Sequence, residues 1–243
     1  PIWEILKSPK YNSIIKSPHL CNKMNGHETV GFNAGHLHDV DGTSAESLSK
    51  GMIQGRKIAR AFQSGLAEFH PKAFSHSYLA ATAELMGIRE TRRIIGRYTL
   101  TVDYYFARKS FDDEIARNCY GADIHSNQAQ SSKVKSKEDM LAQIHRNDSM
   151  KGEKYKPGES HGIPYRCLTP ERLKNILVAG RSISCDRAVQ GSIRAMPTCL
   201  STGEAAGAAA ALAVETMQSG INLHCLDTDS LRNRLIKYGV RLP

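Results

Sequence analysis

Apolar residues along the chain follow helical spacing most clearly after Thr43. With Glu46 three positions later, Thr43 forms a capping-box pattern, which marks the start of a helix. Apolar side chains then recur every three or four residues as far as Leu66. The spacing therefore predicts a helix over about 44–65, long enough to pack along one face of a sheet.

Runs of β-branched and aromatic residues predict several short strands. They cover 29–33, 78–83, 92–101 and 176–179. The polar character of residues 1–30 predicts a loop-rich lead-in. Two short helices are predicted over 102–120, and a last helix is predicted over 230–238. Together these elements predict a mixed α/β chain.

The stretch 176–215 combines an apolar strand, a loop with arginines and a helix rich in alanine and glycine. The strand ends at Gly180, and Pro197 stands where a helix over about 197–216 begins. Ligands in open α/β sheets lie beyond the carboxyl ends of strands, and a helix start offers unpaired N–H groups and a positive dipole end. This stretch is therefore a candidate ligand site.

The small residues of this helix leave two interpretations open. They are Gly203, Ala206, Gly207 and Ala210. They serve either close approach of a ligand or simply packing against a sheet. Polar groups in the preceding loop favour the first interpretation, because a packing loop does not need them. These groups are Arg181, Arg187, Gln190, Ser192 and Arg194.

Composition narrows the choice of partners. The 243 residues carry a formal charge of +9, which fits a polyanion, a phosphate-bearing cofactor or a solvated basic surface. Aromatic residues make up only 7% and do not interleave with a basic tract, so we expect no nucleic-acid partner. No apolar run has transmembrane length, so we expect no membrane partner.

The six cysteines are scattered, with no CxxC pair and no zinc-ligand spacing. This pattern predicts free thiols, no metal and a cytoplasmic protein.

Several long motifs resemble one known family. The runs IPYRCL, NILVAGRSIS and AVQGSIRAMPTCLSTGEAAGAAAALA resemble the C-terminal part of FAD-dependent oxidoreductases with a glutathione-reductase-like flavin fold. Upstream, NAGHLHDVDGTSAESLSKG, LMGIRETRRIIGRYTLT and FDDEIARNCYGADIH are similar to the same family in the same order. The resemblance covers nearly all of 30–235.

The resemblance implies a partial FAD/NAD(P)-binding, Rossmann-like domain with an antiparallel substrate-side sheet and several helices. Residues 1–75 would be the lead-in strand and long helix of the flavin domain. Residues 76–165 would be the substrate-side region, with a mobile insertion at 126–160, and 166–243 would close the flavin domain. The sequence contains no GxGxxG turn and begins at Pro1, so we expect a fragment whose partner is the missing N-terminal dinucleotide-binding part.

The resemblance also implies FAD as cofactor and assigns residues to it. Gly180, Arg181 and Ser182 would lie near the ribityl–pyrophosphate, and the others would line the flavin or start the helix directed at its pyrimidine edge. These others are Gln190, Gly191, Ser192, Met196, Pro197, Thr198 and Cys199.

Candidates on the substrate side follow from residue type. Arginine binds carboxylates in a bidentate manner, although a solvated basic face is an equal alternative. The substrate-binding candidates are Arg89, Arg92, Arg93 and Tyr98. His36 and His161 can act as acid or base near neutral pH, and Tyr165 and Arg166 are candidates for the flavin pocket. The predicted catalytic residues are His36, Tyr165 and Arg166.

The function expected from all this is hydride transfer between a small organic substrate and the flavin. The alternative is a non-catalytic basic binding module that keeps the flavin fold as a scaffold. A nucleic-acid binder is a third and weaker interpretation.

Overall fold

The computed structural model describes residues 2–122, 155–217 and 220–243. The chain divides into two compact units, Pro1–Thr91 and Arg92–Pro243. Most of the predicted insertion at 126–160 lies outside the described residues. The flavin and substrate roles assigned to 1–75, 76–165 and 166–243 stay predictions.

The described residues form eight helices and two small antiparallel sheets, which confirms the mixed α/β class. The helices are α1 (Ile2–Lys7), α2 (Pro9–Asn12), α3 (Ala45–Phe69), α4 (Pro71–Phe74), α5 (Val102–Phe106), α6 (Arg187–Ile193), α7 (Met196–Thr216) and α8 (Thr228–Lys237). The strands are β1 (Leu20–Gly26), β2 (Thr29–Ala34), β3 (Glu114–Asn118) and β4 (His161–Pro164).

The first unit is built on the long helix α3. Its side chains at four-residue spacing, Ile58, Phe62 and Leu66, are buried in one cluster with Ile5 and Tyr11. Strands β1 and β2 form an antiparallel hairpin. The helix predicted over about 44–65 and the strand predicted over 29–33 are confirmed. The prediction of a loop-rich lead-in over 1–30 is wrong, because this stretch contains α1, α2 and β1.

The start of α3 differs by one residue from the capping box that the sequence indicates. Ser44, not Thr43, is the N-cap, and its hydroxyl accepts a hydrogen bond from the Ser47 N–H at 3.3 Å. Thr43 does not cap the helix, because its N–H and its hydroxyl both donate hydrogen bonds to the Asp41 carboxylate.

This arrangement leads to a first test. Ser44→Ala removes the only side-chain cap seen at this helix start, so we expect the free energy of unfolding of the first unit to fall by about 1 kcal/mol. Urea unfolding followed by circular dichroism measures it. Thr43→Ala is the control and should cost clearly less. A larger loss for Thr43→Ala than for Ser44→Ala would restore the original capping-box assignment.

The second unit has its core between β3, β4 and the helices of the C-terminal half. Helix α7 buries Ala205, Ala209 and Leu212, and α8 contributes Leu231 and Leu235 to the same cluster. In the sheet, Asn118 of β3 pairs with His161 of β4.

Several predicted strands are wrong. Residues 78–83 and 176–179 form no strand, and Ile176 is exposed rather than buried. Residues 92–101 form no strand and make only the isolated bridges Gly96–Pro170 and Leu100–Cys185. The N–H groups of Ile94, Arg97 and Leu100 donate to three separate carbonyls, those of Ser182, Thr169 and Ser184, so no ladder forms.

Two further predictions in this unit need correction. Of the two helices expected over 102–120, α5 forms, but the second segment becomes β3 because it pairs with β4. The loop expected before Pro197 contains the helix α6. The helices predicted over 197–216 and 230–238 are confirmed as α7 and α8, with starts shifted by one and two residues.

Candidate active site

The start of α7 is the centre of the candidate site. The helix begins at Met196 with Pro197 in its first turn, and Ala195 before it makes no side-chain cap. Met196 is 80% exposed, so this end of the helix is open to solvent. Its first N–H groups and the positive end of its dipole can therefore face an electron-rich ligand.

The turn Gly180–Ser182 packs directly against this helix start. The Gly180 N–H donates to the Thr202 hydroxyl at 3.0 Å, and a side chain at position 180 would lie 3.9 Å from the Cys199 Cβ. Gly180 has a φ of +74°, a conformation that glycine adopts without strain. The turn and the helix start, expected to share one site, are thus neighbours.

Helix α6 completes this group. Asp186 caps it through a hydrogen bond from the Val189 N–H at 2.7 Å, and the same carboxylate accepts from the Val102 N–H at 2.7 Å. The Gln190 amide donates to the Arg181 carbonyl at 3.5 Å, which ties α6 to the turn at 180–182. Gln190 and Ser192 are both fully buried.

The cofactor-binding candidates are therefore contributed by three adjoining pieces of the second unit: the turn, α6 and the start of α7. Their roles toward FAD stay predictions. Sequence reasoning missed two residues that hold these pieces together, Asn118 and Asp186. Asn118 stands inside the quoted run FDDEIARNCYGADIH, and an Asp three residues before Val189 has N-cap spacing, which is a signal that the sequence does carry.

Arg166, Tyr98 and Asp113 form a second group in the same unit. The Arg166 guanidinium makes two hydrogen bonds to the Asp113 carboxylate, at 2.9 and 3.2 Å, and lies 4.4 Å from the centre of the Tyr98 ring. The hydrogen bond to Asp113 raises the pKa of Arg166. Burial, with a further contribution from Tyr104, raises the pKa of Tyr98. Arg166 is thus a fixed cation.

Tyr165 is buried, and its hydroxyl donates to the Leu223 carbonyl at 3.0 Å. Burial raises its pKa. In this position the phenol acts as a structural donor, and its predicted catalytic role gains no support from the geometry.

His36 and Arg89 belong to the first unit, whereas Arg92 and Arg93 are exposed at the beginning of the second. The His36 Nδ1 lies 3.0 Å from the Ser17 hydroxyl, and its Nε2 lies 3.4 Å from the Arg89 guanidinium. The structure thus brings His36 and Arg89 together. Their catalytic and substrate-binding roles stay predictions.

His161 is fully buried at the start of β4. Its Nδ1 lies 2.5 Å from the Tyr155 hydroxyl, and Nε2 has no hydrogen-bond partner. Burial lowers the pKa of His161 to about 4, and the nearby cations Arg108 and Arg117 act in the same direction. The imidazole is therefore neutral at physiological pH.

All six cysteines are free thiols. Partial burial raises the pKa of Cys199, and Arg181 opposes that shift. Cys199 is thus a neutral thiol at the start of α7. Across the described stretches, no cluster of three His, Cys, Asp or Glu side chains is suited to a metal ion, and no helix is long and apolar enough to cross a membrane.

A family model that describes FAD dependent oxidoreductases matches residues 7–235. The chain therefore belongs to the family of FAD-dependent oxidoreductases, and FAD is its cofactor. No curated protein and no solved structure gives a match.

The start of α7 fits part of this cofactor. An isoalloxazine carries electron density at its pyrimidine edge, and it gains negative charge there on reduction. A helix start without a side-chain cap offers N–H donors and a positive dipole end to such a group. Arg181 is exposed on the adjoining turn and close enough to act on Cys199, so it adds a positive charge beside the same helix turn.

Proposed function

We propose that the protein catalyses hydride transfer between a small organic substrate and FAD, with the start of α7 holding the pyrimidine edge of the flavin. The observation that carries this proposal is the convergence of the turn Gly180–Ser182, the buried helix α6 and the uncapped start of α7. When bound, FAD supplies the hydride-accepting chemistry, and the protein supplies orientation and electrostatics.

The residues have distinct parts in this proposal. The backbone of Met196 and Thr198 and the dipole of α7 stabilise negative charge at the flavin edge. Arg181 adds a positive charge there. Gly180 adopts the positive φ that the turn beside Cys199 requires.

Two extensions belong to the same proposal. The exposed guanidinium groups of Arg92 and Arg93 would attract an anionic substrate. The partner for the remainder of the cofactor would be an N-terminal dinucleotide-binding part.

Six free thiols support a reducing compartment such as the cytoplasm.

The helix start can be tested by giving it the cap that it lacks. Ala195 has the extended conformation of an N-cap, with φ −62° and ψ 147°. Ala195→Asp should raise the free energy of unfolding by about 1 kcal/mol. The new carboxylate would accept the Thr198 N–H and repel the flavin edge. We therefore expect the FAD dissociation constant to rise about tenfold, equivalent to about 1.4 kcal/mol.

Ala195→Asn is the matched control, because it caps the helix without a charge. It should stabilise the protein similarly and weaken FAD binding less than Ala195→Asp. Flavin fluorescence titration gives the dissociation constants, and a redox titration gives the midpoint potential, which should be lower for Ala195→Asp than for the parent. Unchanged FAD affinity and potential in a more stable Ala195→Asp protein would refute this placement of the flavin.

A further inference from the structure

Asn118 occupies an unusual place at the end of β3. It is 3% exposed, and its side-chain amide is hydrogen-bonded on both sides. Its Nδ2 donates to the Ser192 hydroxyl at 2.7 Å, and its Oδ1 accepts from the Thr198 hydroxyl at 2.7 Å. One side chain thus joins the end of α6 to the first turn of α7.

The other atoms of this network are also satisfied. The Ser192 hydroxyl donates to the Tyr120 carbonyl, so its oxygen is left to accept from Asn118. The Thr198 side chain is buried and directed at Asn118, which leaves only the backbone of Thr198 for a ligand at the helix start. A fully satisfied buried polar network fixes one arrangement, because breaking any bond leaves a buried group unpaired.

A half-buried aromatic residue, Tyr155, lies at the far side of this network. The Tyr155 hydroxyl lies 2.5 Å from the Nδ1 of His161, the residue that pairs with Asn118 across the sheet. The Arg108 guanidinium lies 3.9 Å from the centre of the Tyr155 ring. Asn118 therefore links the β3–β4 sheet directly to the first turn of α7.

We propose that Asn118 is a positioning residue for the flavin: by bonding Ser192 and Thr198 at once, it fixes the direction of the backbone N–H groups at the start of α7. This inference rests on the proposed function, in which that helix start holds the flavin edge. Asn118 itself is buried behind α7 and does not touch the ligand. Its effect on FAD passes through Thr198.

The test measures FAD affinity and the absorption spectrum of bound FAD for a small set of variants of the full chain. Asn118→Leu removes both hydrogen bonds, and Thr198→Val removes the hydroxyl while keeping the shape. We expect each to raise the FAD dissociation constant about tenfold and to shift the flavin absorption bands. Thr198→Ser keeps the hydroxyl and should keep affinity and spectrum near those of the parent.

Two comparisons separate positioning from a loss of stability. Leu235→Ala, in the core contributed by α8, destabilises the same unit and should leave FAD affinity and spectrum unchanged. The double variant Asn118→Leu with Thr198→Val should bind FAD no more weakly than Asn118→Leu alone, because Thr198→Val breaks a bond that Asn118→Leu has already removed. Additive losses would overturn the inference.

The remaining outcomes are equally decisive. If folded Asn118→Leu, or folded Thr198→Val where Asn118→Leu does not fold, keeps the parental FAD affinity and spectrum, the inference is wrong and the proposed function stands. If Leu235→Ala loses FAD affinity as much as Asn118→Leu, the effect is general destabilisation and the inference is also wrong. If the parent chain itself does not bind FAD, the proposed function fails, and the inference fails with it.

Discussion

Glu114→Ala is expected to lower the free energy of unfolding of the second unit by about 3–5 kcal/mol, the usual cost of leaving a buried charge without its partner. Glu114 has no exposed surface. One carboxylate oxygen accepts from the Arg117 guanidinium at 2.8 Å and the other from the Phe111 N–H at 3.1 Å. The substitution removes the acceptor of the Phe111 N–H and the charged partner of Arg117, and it opens a gap beside Gly162, which packs against the same carboxylate.

The matched control is Glu215→Ala. Glu215 also pairs with an arginine of the second unit, Arg234, but its side chain is 55% exposed. An exposed pair contributes about 0–1 kcal/mol, so this variant should unfold near the parental midpoint. Urea unfolding followed by circular dichroism compares the two. Equal losses from both variants would contradict the structural role of the buried Glu114.

Acidification is expected to destabilise the protein through His161. Its folded-state pKa of about 4 lies below the usual value of 6.5, so the unfolded chain binds more protons between these pH values. The resulting stability is fully present above pH 6.5 and is lost as the pH falls toward 4. The total is about 3 kcal/mol at 1.36 kcal/mol per pKa unit.

His161→Gln removes the titrating group, so its stability should change much less between pH 6.5 and 4. The carboxylates of Glu159 and Asp227 also have lowered pKa values, so each loses its contribution to stability once the pH falls below the ordinary pKa of the group. That loss occurs at pH values below most of the range from 6.5 to 4. His224→Gln is the control. The free energy of unfolding of this variant should change with pH as much as that of the parent, because His161 remains. Urea unfolding midpoints measured at several pH values test this prediction. If the midpoint changes equally with pH in His161→Gln and in the parent, His161 is not the cause of the acid destabilisation.

The helices with strong local signals could be predicted from sequence. The periodic apolar residues of α3 and the Pro197 start of α7 placed both helices within a few residues. The cap of α3 was missed by one position, because Thr43 and Ser44 are both good caps and only the contact with Asp41 removes Thr43 from that role.

The extended segments were harder to predict. Residues 92–101 have strand-forming side chains, yet their partners are isolated carbonyls at Thr169, Ser182 and Ser184. Residues 114–118 were expected as helix and became β3, since pairing with β4 outweighs local preference. Whether such a segment becomes a strand depends on a partner that is distant in sequence.

The candidate site shows the same division. Sequence motifs alone indicated the FAD-dependent oxidoreductase family, the start of α7 and the turn at 180–182, because glycine, proline and small-residue patterns are local. Only the tertiary structure placed Asn118 between Ser192 and Thr198, separated from them by 74 and 80 residues. It likewise buried His161 and gave Tyr165 a backbone partner. Hydrogen bonds between distant residues and loss of solvent both depend on packing, which no local pattern of residues records.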